Sequence, residues 1–233
     1  MEDRSFVFLH SPLVGPSSMR RLAGLAAGAG YETSLPDLTS VATSGRPHDD
    51  FIRLATGAIN ETGATPVVVA HSGAGVYLPS ILGQLDGAVG LLFVDAVVPP
   101  VRGRHRTSER LSSMLDEQAV DGLLRRWLDW WAPEVVEGLL PNAADREELL
   151  ADMPRLRRSF YDSDVAVPVD WSNGPFGYLR LSAAYDGELA EARARTWPTS
   201  TLDATHLSVH TEPRAVFEKI LDLTERIASK HRV

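Results

Sequence analysis

The sequence predicts a doubly wound, mostly parallel α/β sheet, and three observations carry that expectation. From Phe6 to Asp95, short apolar runs alternate with helical stretches, the order that parallel strands joined by crossover helices require. The run Val67-Val68-Val69 is β-branched and unbroken, as a strand buried on both faces reads. It leads straight into Ala70-His71-Ser72-Gly73-Ala74, a small-x-Ser-x-small pentad. Such a pentad suits a strained strand-to-helix turn in which only tiny flanking side chains clear the neighbouring backbone.

Each element follows in order. Phe6 to Leu9 is the first strand, and it ends in His10-Ser11-Pro12-Leu13-Val14-Gly15-Pro16-Ser17-Ser18, a loop dense in turn formers. A helix is expected from about Met19 to Ala29, with Leu22, Leu25 and Ala26 at helical spacing and Gly28 and Gly30 as stops. Tyr31 to Leu35 reads as a strand, and Phe51, Leu54, Ala55, Ala58 and Ile59 mark a helix that breaks at Gly63. After the pentad, Val89 to Val94 is the next strand, ending in Asp95.

The pattern then changes. From Val101 to about Pro175 there is no clear strand, only polar connections and helical segments such as Leu111 to Leu128 and Asp145 to Phe160. Residues 99–175 are therefore expected to form a helical insertion over the carboxyl edge of the sheet, between core segments 1–98 and 176–233. Sheet character returns with Tyr178 to Tyr185, then a helix around Glu188 to Arg195 and a strand near Thr199 to Leu202. The last helix, Pro213 to Ser229, repeats Val216, Phe217, Ile220, Leu221, Leu223 and Ile227 every three or four residues.

Composition narrows the chemistry. With 233 residues and 44% hydrophobic content, the chain suits one sizeable domain or a core carrying an insertion. There is no Cys, so covalent chemistry falls to an oxygen or nitrogen nucleophile, and thiolate metal sites are excluded. A net charge of -8 gives no electrostatic reason to bind nucleic acid or an anionic membrane. The acidic start, Met1-Glu2-Asp3, is unlike a signal peptide, and no apolar run approaches the roughly 20 residues of a membrane span. A soluble, cytoplasmic protein is expected.

Ser72 would sit at the start of a helix, where free N–H groups and the positive end of the dipole favour a developing oxyanion. A rival reading is a phosphate-cradling loop, since Gly73-Ala74-Gly75 supplies G-x-G after a strand. The third small position of G-x-G-x-x-G falls on Leu78, however, and no Walker lysine follows.

Taken together, H-S-P-L-V-G-P-S-S, A-H-S-G-A-G, L-F-V-D-A-V-V-P-P, D-G-L-L-R-R-W-L-D-W-W and H-L-S-V-H-T-E-P resemble the α/β-hydrolase superfamily over essentially the whole chain. The likeness is greatest to small bacterial hydrolases of the esterase type. The resemblance implies six parallel strands beginning at the family's third strand, with residues 99–175 as the cap that shapes the pocket. It implies Ser72 as nucleophile, His206 as the catalytic base and Gly73 N–H as one oxyanion donor. The acid is Asp95, at the end of the strand after the pentad, or Asp186 after the next strand. Asp95 is favoured because Asp186 lacks the usual Gly two or three places before it.

The loop His of the family is His10, read as a turn organiser. The residue two places on, which commonly lends its N–H to the oxyanion, is here Pro12, which has none. Leu13 N–H is the preferred substitute, with the Ser11 hydroxyl or Gly73 alone as the other outcomes. His210 reads as a partly exposed residue before the last helix. Trp127, Trp130 and Trp131 are either cap-to-core packing or a pocket wall. With His10 and Pro12 they would make the pocket apolar, for an uncharged hydrophobic ester or thioester. No cofactor or metal is implied, and the partner is a small-molecule substrate. A non-hydrolytic lyase or cyclase, or a ligand-binding homologue without turnover, would use the same scaffold.

Overall fold

A computed structural model describes residues 4–85 and 90–231. Along the chain, β1 (Arg4–Leu9), α1 (Ser17–Gly28), β2 (Glu32–Ser34), α2 (Pro47–Asn60) and β3 (Thr65–His71) appear where apolar periodicity places them. A 3-10 turn from Ser72 to Tyr77 and the short α3 (Leu78–Leu82) follow, then β4 (Gly90–Val94). Of the strand expected from Val89, Val89 itself lies outside the described residues.

Successive side chains of the strands point to opposite faces of the sheet, and both faces are buried. Phe6, Phe8, Val67, Val69, Leu92 and Val94 pack on one face against Met19, Leu22, Val216 and Ile220. Val7, Leu9, Val68, Ala70, Leu91 and Phe93 pack on the other against Phe51, Ala55, Leu78 and Ile81. A sheet covered by helices on both faces reads as continuous hydrophobic strands, which is why the Val67-Val68-Val69 run carries no polar residue.

Between β4 and the strand that begins at Phe176 lies an inserted segment that is less helical than its periodicity suggests. It contains β5 (Gly103–His105), α4 (Glu109–Gln118), β6 (Ala119–Val120), β7 (Leu123–Leu124), α5 (Pro133–Leu139), α6 (Ala143–Asp152) and β8 (Val165–Val167). The helix expected over Leu111 to Leu128 stops at Gln118, because Asp121 and Gly122 take φ of 52° and 76° and turn β6 back onto β7. Two left-handed residues at the centre of a tight hairpin are what Asp-Gly favours. The helix expected over Asp145 to Phe160 stops at Asp152, two residues before Pro154, which disfavours helix at the residue ahead of it. β5 and β8 pair antiparallel.

The chain returns to the main sheet with β9 (Phe176–Arg180), shorter than the expected Tyr178 to Tyr185, since Ala183–Tyr185 forms a 3-10 turn. Then come α7 (Asp186–Ala194), β10 (Thr199–Thr201), α8 (Ser208–Thr211) and α9 (Pro213–His231). The sheet is six-stranded and parallel throughout, in the order β10-β9-β4-β3-β1-β2. The chain leaves β1 toward β2 on one side and resumes with β3 on the other. The crevice outside the carboxyl ends of β1 and β3 is therefore the topological switch point, where ligands bind in open α/β sheets. No helix among the described residues is long and apolar enough to cross a membrane.

Candidate active site

Ser72 leaves β3 with φ of 57°, a left-handed conformation that a non-glycine residue adopts at a cost on the order of 1–3 kcal/mol. The turn is held by close approach. A Cβ on Gly75 would stand 2.4 Å from the Val97 carbonyl oxygen and 3.1 Å from Ala96 Cβ, and Ala74 is fully buried. Gly75, the residue just after the pentad, is thus the one the loop after β4 leans on.

That loop begins with Asp95, which also has positive φ, 44°. Its carboxylate is fully buried and saturated. Oδ1 accepts from Leu181 N at 2.8 Å and Ser182 N at 3.0 Å, and Oδ2 accepts from Ser182 Oγ at 2.6 Å. Oδ2 also lies 2.8 Å from His206 Nδ1. Burial pushes the Asp95 carboxyl up, but His206 and the Ser182 hydrogen bonds outweigh it and hold the group below its ordinary value.

His206 Nε2 is 3.1 Å from Ser72 Oγ. With Nδ1–H donated to the carboxylate, Nε2 carries the free lone pair and faces the serine hydroxyl. Asp186 is elsewhere: it starts α7, is largely exposed, and pairs with Arg180 Nε at 2.7 Å. Of the two carboxylates left open by the sequence, the structure brings only Asp95 to His206.

Two more rings touch the imidazole. His71 lies 4.6 Å from it and donates from Nε2 to the His206 carbonyl at 3.0 Å. Its Nδ1 is buried without a partner. Burial, then the nearby His206, push the His71 pKa down to about 3. Tyr185 stacks on His206 at 5.1 Å with 7° between ring planes, and its hydroxyl is 3.3 Å from Ser72 Oγ. Sequence reading missed Tyr185 by counting it into a strand. Its signal was position, just past the carboxyl end of a parallel strand, where site residues gather.

The loop after β1 faces the turn. A Cβ on Gly73 would meet Ser11 Oγ at 3.2 Å and Pro12 Cδ at 3.6 Å. Leu13 N–H, the expected substitute for Pro12, instead donates to Ser11 Oγ at a long 3.4 Å. His10 does not line the cavity as expected. It is fully buried, its Nδ1–H reaching the Ser11 carbonyl at 2.9 Å and its Nε2 accepting from Leu38 N at 3.0 Å. It organises the turn from beneath.

Ser72, His206, Ser11, Pro12, Gly73 and Tyr185 open onto a cavity of about 390 Å³, also lined by Trp127, Trp130 and Trp131. No Asp, Glu, Lys or Arg is among its lining residues. Trp127 does both jobs proposed for the tryptophans, standing 5.9 Å from the His206 ring and packing with Leu128, Val136 and Leu149 of the inserted segment. Far along the wall, His48 Nδ1 and Tyr77 Oη are 2.9 Å apart.

His210, expected to be partly exposed, is fully buried, with Nδ1–H donated to the Ser17 carbonyl at 3.2 Å. The cause is α8, which packs on α1. His210 Nε2 lies 3.8 Å from Asp145 and 3.9 Å from Glu148, a set that could ligate a cation. Arg21 Nη2 already bridges those carboxylates at 2.6 Å and 2.7 Å.

The family profile of the alpha/beta hydrolases matches residues 6–219. The chain is an alpha/beta hydrolase. No curated protein sequence matches this hydrolase, but solved structures do. One is an extracellular alpha/beta-hydrolase from a Paenibacillus species, described as sharing structural and functional homology with tobacco salicylic acid binding protein 2. It superposes with a TM-score of 0.71 at 13% identity, over 94% of this chain and 98% of that one. Tomato methylketone synthase I, complexed with 2-tridecanone, gives 0.71 at 12% identity over 97% and 99% of the two chains. A pyrethroid hydrolase from Sphingobium faniae gives 0.71 at 14% identity over 97% and 99%. At such identities the likeness establishes the fold of this hydrolase.

Proposed function

We propose that this hydrolase cleaves a hydrophobic carboxylic ester or thioester by acyl transfer through Ser72. The observation that carries the reading is the continuous chain Asp95 Oδ2, His206 Nδ1, His206 Nε2, Ser72 Oγ, with links of 2.8 Å and 3.1 Å. Ser72 attacks the carbonyl while His206 Nε2 takes its proton and returns it to the leaving group; Asp95 fixes the tautomer and stabilises the imidazolium. Gly73 N–H receives the oxyanion. The second donor is the Ser11 hydroxyl, which is buried beside Gly73 and whose lone pair is taken up by Leu13 N–H. Residues 99–175 act as the cap, and the uncharged, tryptophan-lined cavity selects an uncharged acyl body.

The non-hydrolytic reading, a lyase or cyclase at the same serine, draws support from Pro12. One oxyanion donor is worth roughly 3 to 4 kcal/mol, and a hydroxyl that must be oriented is a poorer donor than a fixed N–H. A panel of p-nitrophenyl esters of rising acyl length decides between them. Turnover that rises with chain length and disappears in Ser72→Ala supports the esterase. A folded protein that cleaves none of the panel moves the non-hydrolytic reading ahead.

A further inference from the structure

The hydrogen bond between Tyr185 and the nucleophile has no part in the scheme above. Ser72 Oγ carries one proton, and His206 Nε2, the acceptor, is 3.1 Å from it. With that proton committed, the 3.3 Å contact to Tyr185 must run the other way, with the phenol O–H donating to a lone pair of Oγ. Burial raises the Tyr185 pKa to about 12, so the phenol keeps its proton at neutral pH. The ring is held parallel against the imidazole, and the hydroxyl and Nε2 both stand within hydrogen-bond reach of Ser72 Oγ, at 3.3 Å and 3.1 Å.

Once Ser72 Oγ has bonded to the substrate carbon, it becomes an ester-type oxygen and a poor acceptor. The Tyr185 proton then needs a new partner. The leaving-group oxygen must come within reach of Nε2–H to be protonated, and that places it beside the Tyr185 hydroxyl. We propose that Tyr185 is a catalytic donor to the leaving-group oxygen, and that it therefore speeds cleavage of oxygen esters of aliphatic alcohols more than that of thioesters or activated aryl esters. This rests on the Ser72–His206 reading. The step balances simply: the carbon to leaving-oxygen bond breaks, the proton on Nε2 passes to that oxygen, and Tyr185 keeps its own. An alkoxide is a far stronger base than a thiolate or a nitrophenolate, so it gains most from a second donor, while sulfur is a weak acceptor.

The test compares ethyl, p-nitrophenyl and thioethyl esters of one fatty acid in wild type and Tyr185→Phe. It is read as kcat/KM, which reports acylation alone. The ethyl ester is expected to lose about ten- to a hundredfold, at or below the worth of one oxyanion-hole donor, and at least ten times more than either activated ester. Substituting 3-fluorotyrosine at 185 strengthens the donor without changing its shape and should speed the ethyl ester selectively; this arm stands even if Tyr185→Phe folds poorly. Equal losses on all three esters would mean that Tyr185 only props His206, and would overturn the assignment. Wild type that cleaves none of the three refutes the hydrolase reading itself, and the Tyr185 role with it.

Discussion

The carboxyl edge of the sheet and the segment inserted above it, residues 99–175, are held by different means. At the edge, Ser72 and Asp95 sit at strand ends whose register is fixed by backbone ladders: Ser72 follows His71, paired with Val94, and Asp95 follows Val94, paired with Leu179. Parallel pairing with both faces buried admits no slippage, because a one-residue shift would turn every side chain over. The inserted segment has no such ladder. Its sheets are pairs of two- and three-residue strands, and it is tied to the core by side chains: Phe160, Val165 and Trp171 pack in one cluster with Tyr77 and Phe93, and polar contacts add to them. Asp152 accepts from Ser17 N at 2.8 Å and Ser17 Oγ at 2.6 Å, and Arg21 reaches Asp145 and Glu148. On the proposed reading, the difference separates a region that fixes the chemistry from one that can be reshaped for the substrate while the chemistry stays.

Breaking the edge should therefore cost far more activity than breaking the ties above it. Asp95→Asn is expected to lower turnover by about four orders of magnitude, the price of a wrongly held imidazole. Asp186→Asn, which loses only an exposed pair with Arg180, should change it by at most a few-fold. Steady-state kinetics on one good ester decides it, and the reverse ranking would put the acid on the later turn.

Acid should unfold the edge through His71. Its folded pKa is lowered to about 3 against roughly 6.5 in an unfolded chain. Between those values the unfolded state binds the extra proton, so stability falls as pH drops below about 6.5. By pH 5 the loss attributable to His71 is on the order of 2 kcal/mol. Urea melts at pH 7 and pH 5 should show it, and His71→Asn should flatten the dependence. An unchanged slope in the variant would assign the acid sensitivity to other buried histidines.

The smallest effect is expected above the sheet. Asp152→Ala removes an acceptor from the start of α1 and one tie to α6, a loss of about 1 kcal/mol by analogy with a helix cap, with turnover of a short-chain ester reduced only modestly. A drop in turnover approaching that of Asp95→Asn would show that these ties set the catalytic geometry.

The sequence made the two regions unequally legible for the same physical reason. Unbroken apolar strands and a pentad of small residues are demanded by burial on both faces and by a strained turn, so the sheet and the turn that carries Ser72 are legible in the residues, whereas His206 comes only from the family resemblance. Only the missing Gly before Asp186 favours Asp95 locally, and what decides between them is the pairing of β4 with β9, which brings Leu181 and Ser182 to the Asp95 carboxylate. Above the sheet, helical periodicity misled where Asp121-Gly122 already announced a hairpin. His210 was misplaced because its burial comes from packing between α1 and α8, elements far apart in sequence.

An activated Ser72 nucleophile is revealed by intact-mass analysis after exposure to a fluorophosphonate probe. Wild type should gain a single adduct that peptide mapping places on Ser72, Asp95→Asn should gain it far more slowly, and Ser72→Ala should gain none. A folded wild-type protein that takes up no probe, or a Ser72→Ala variant labelled as fast as wild type, would mean that Ser72 is not the nucleophile.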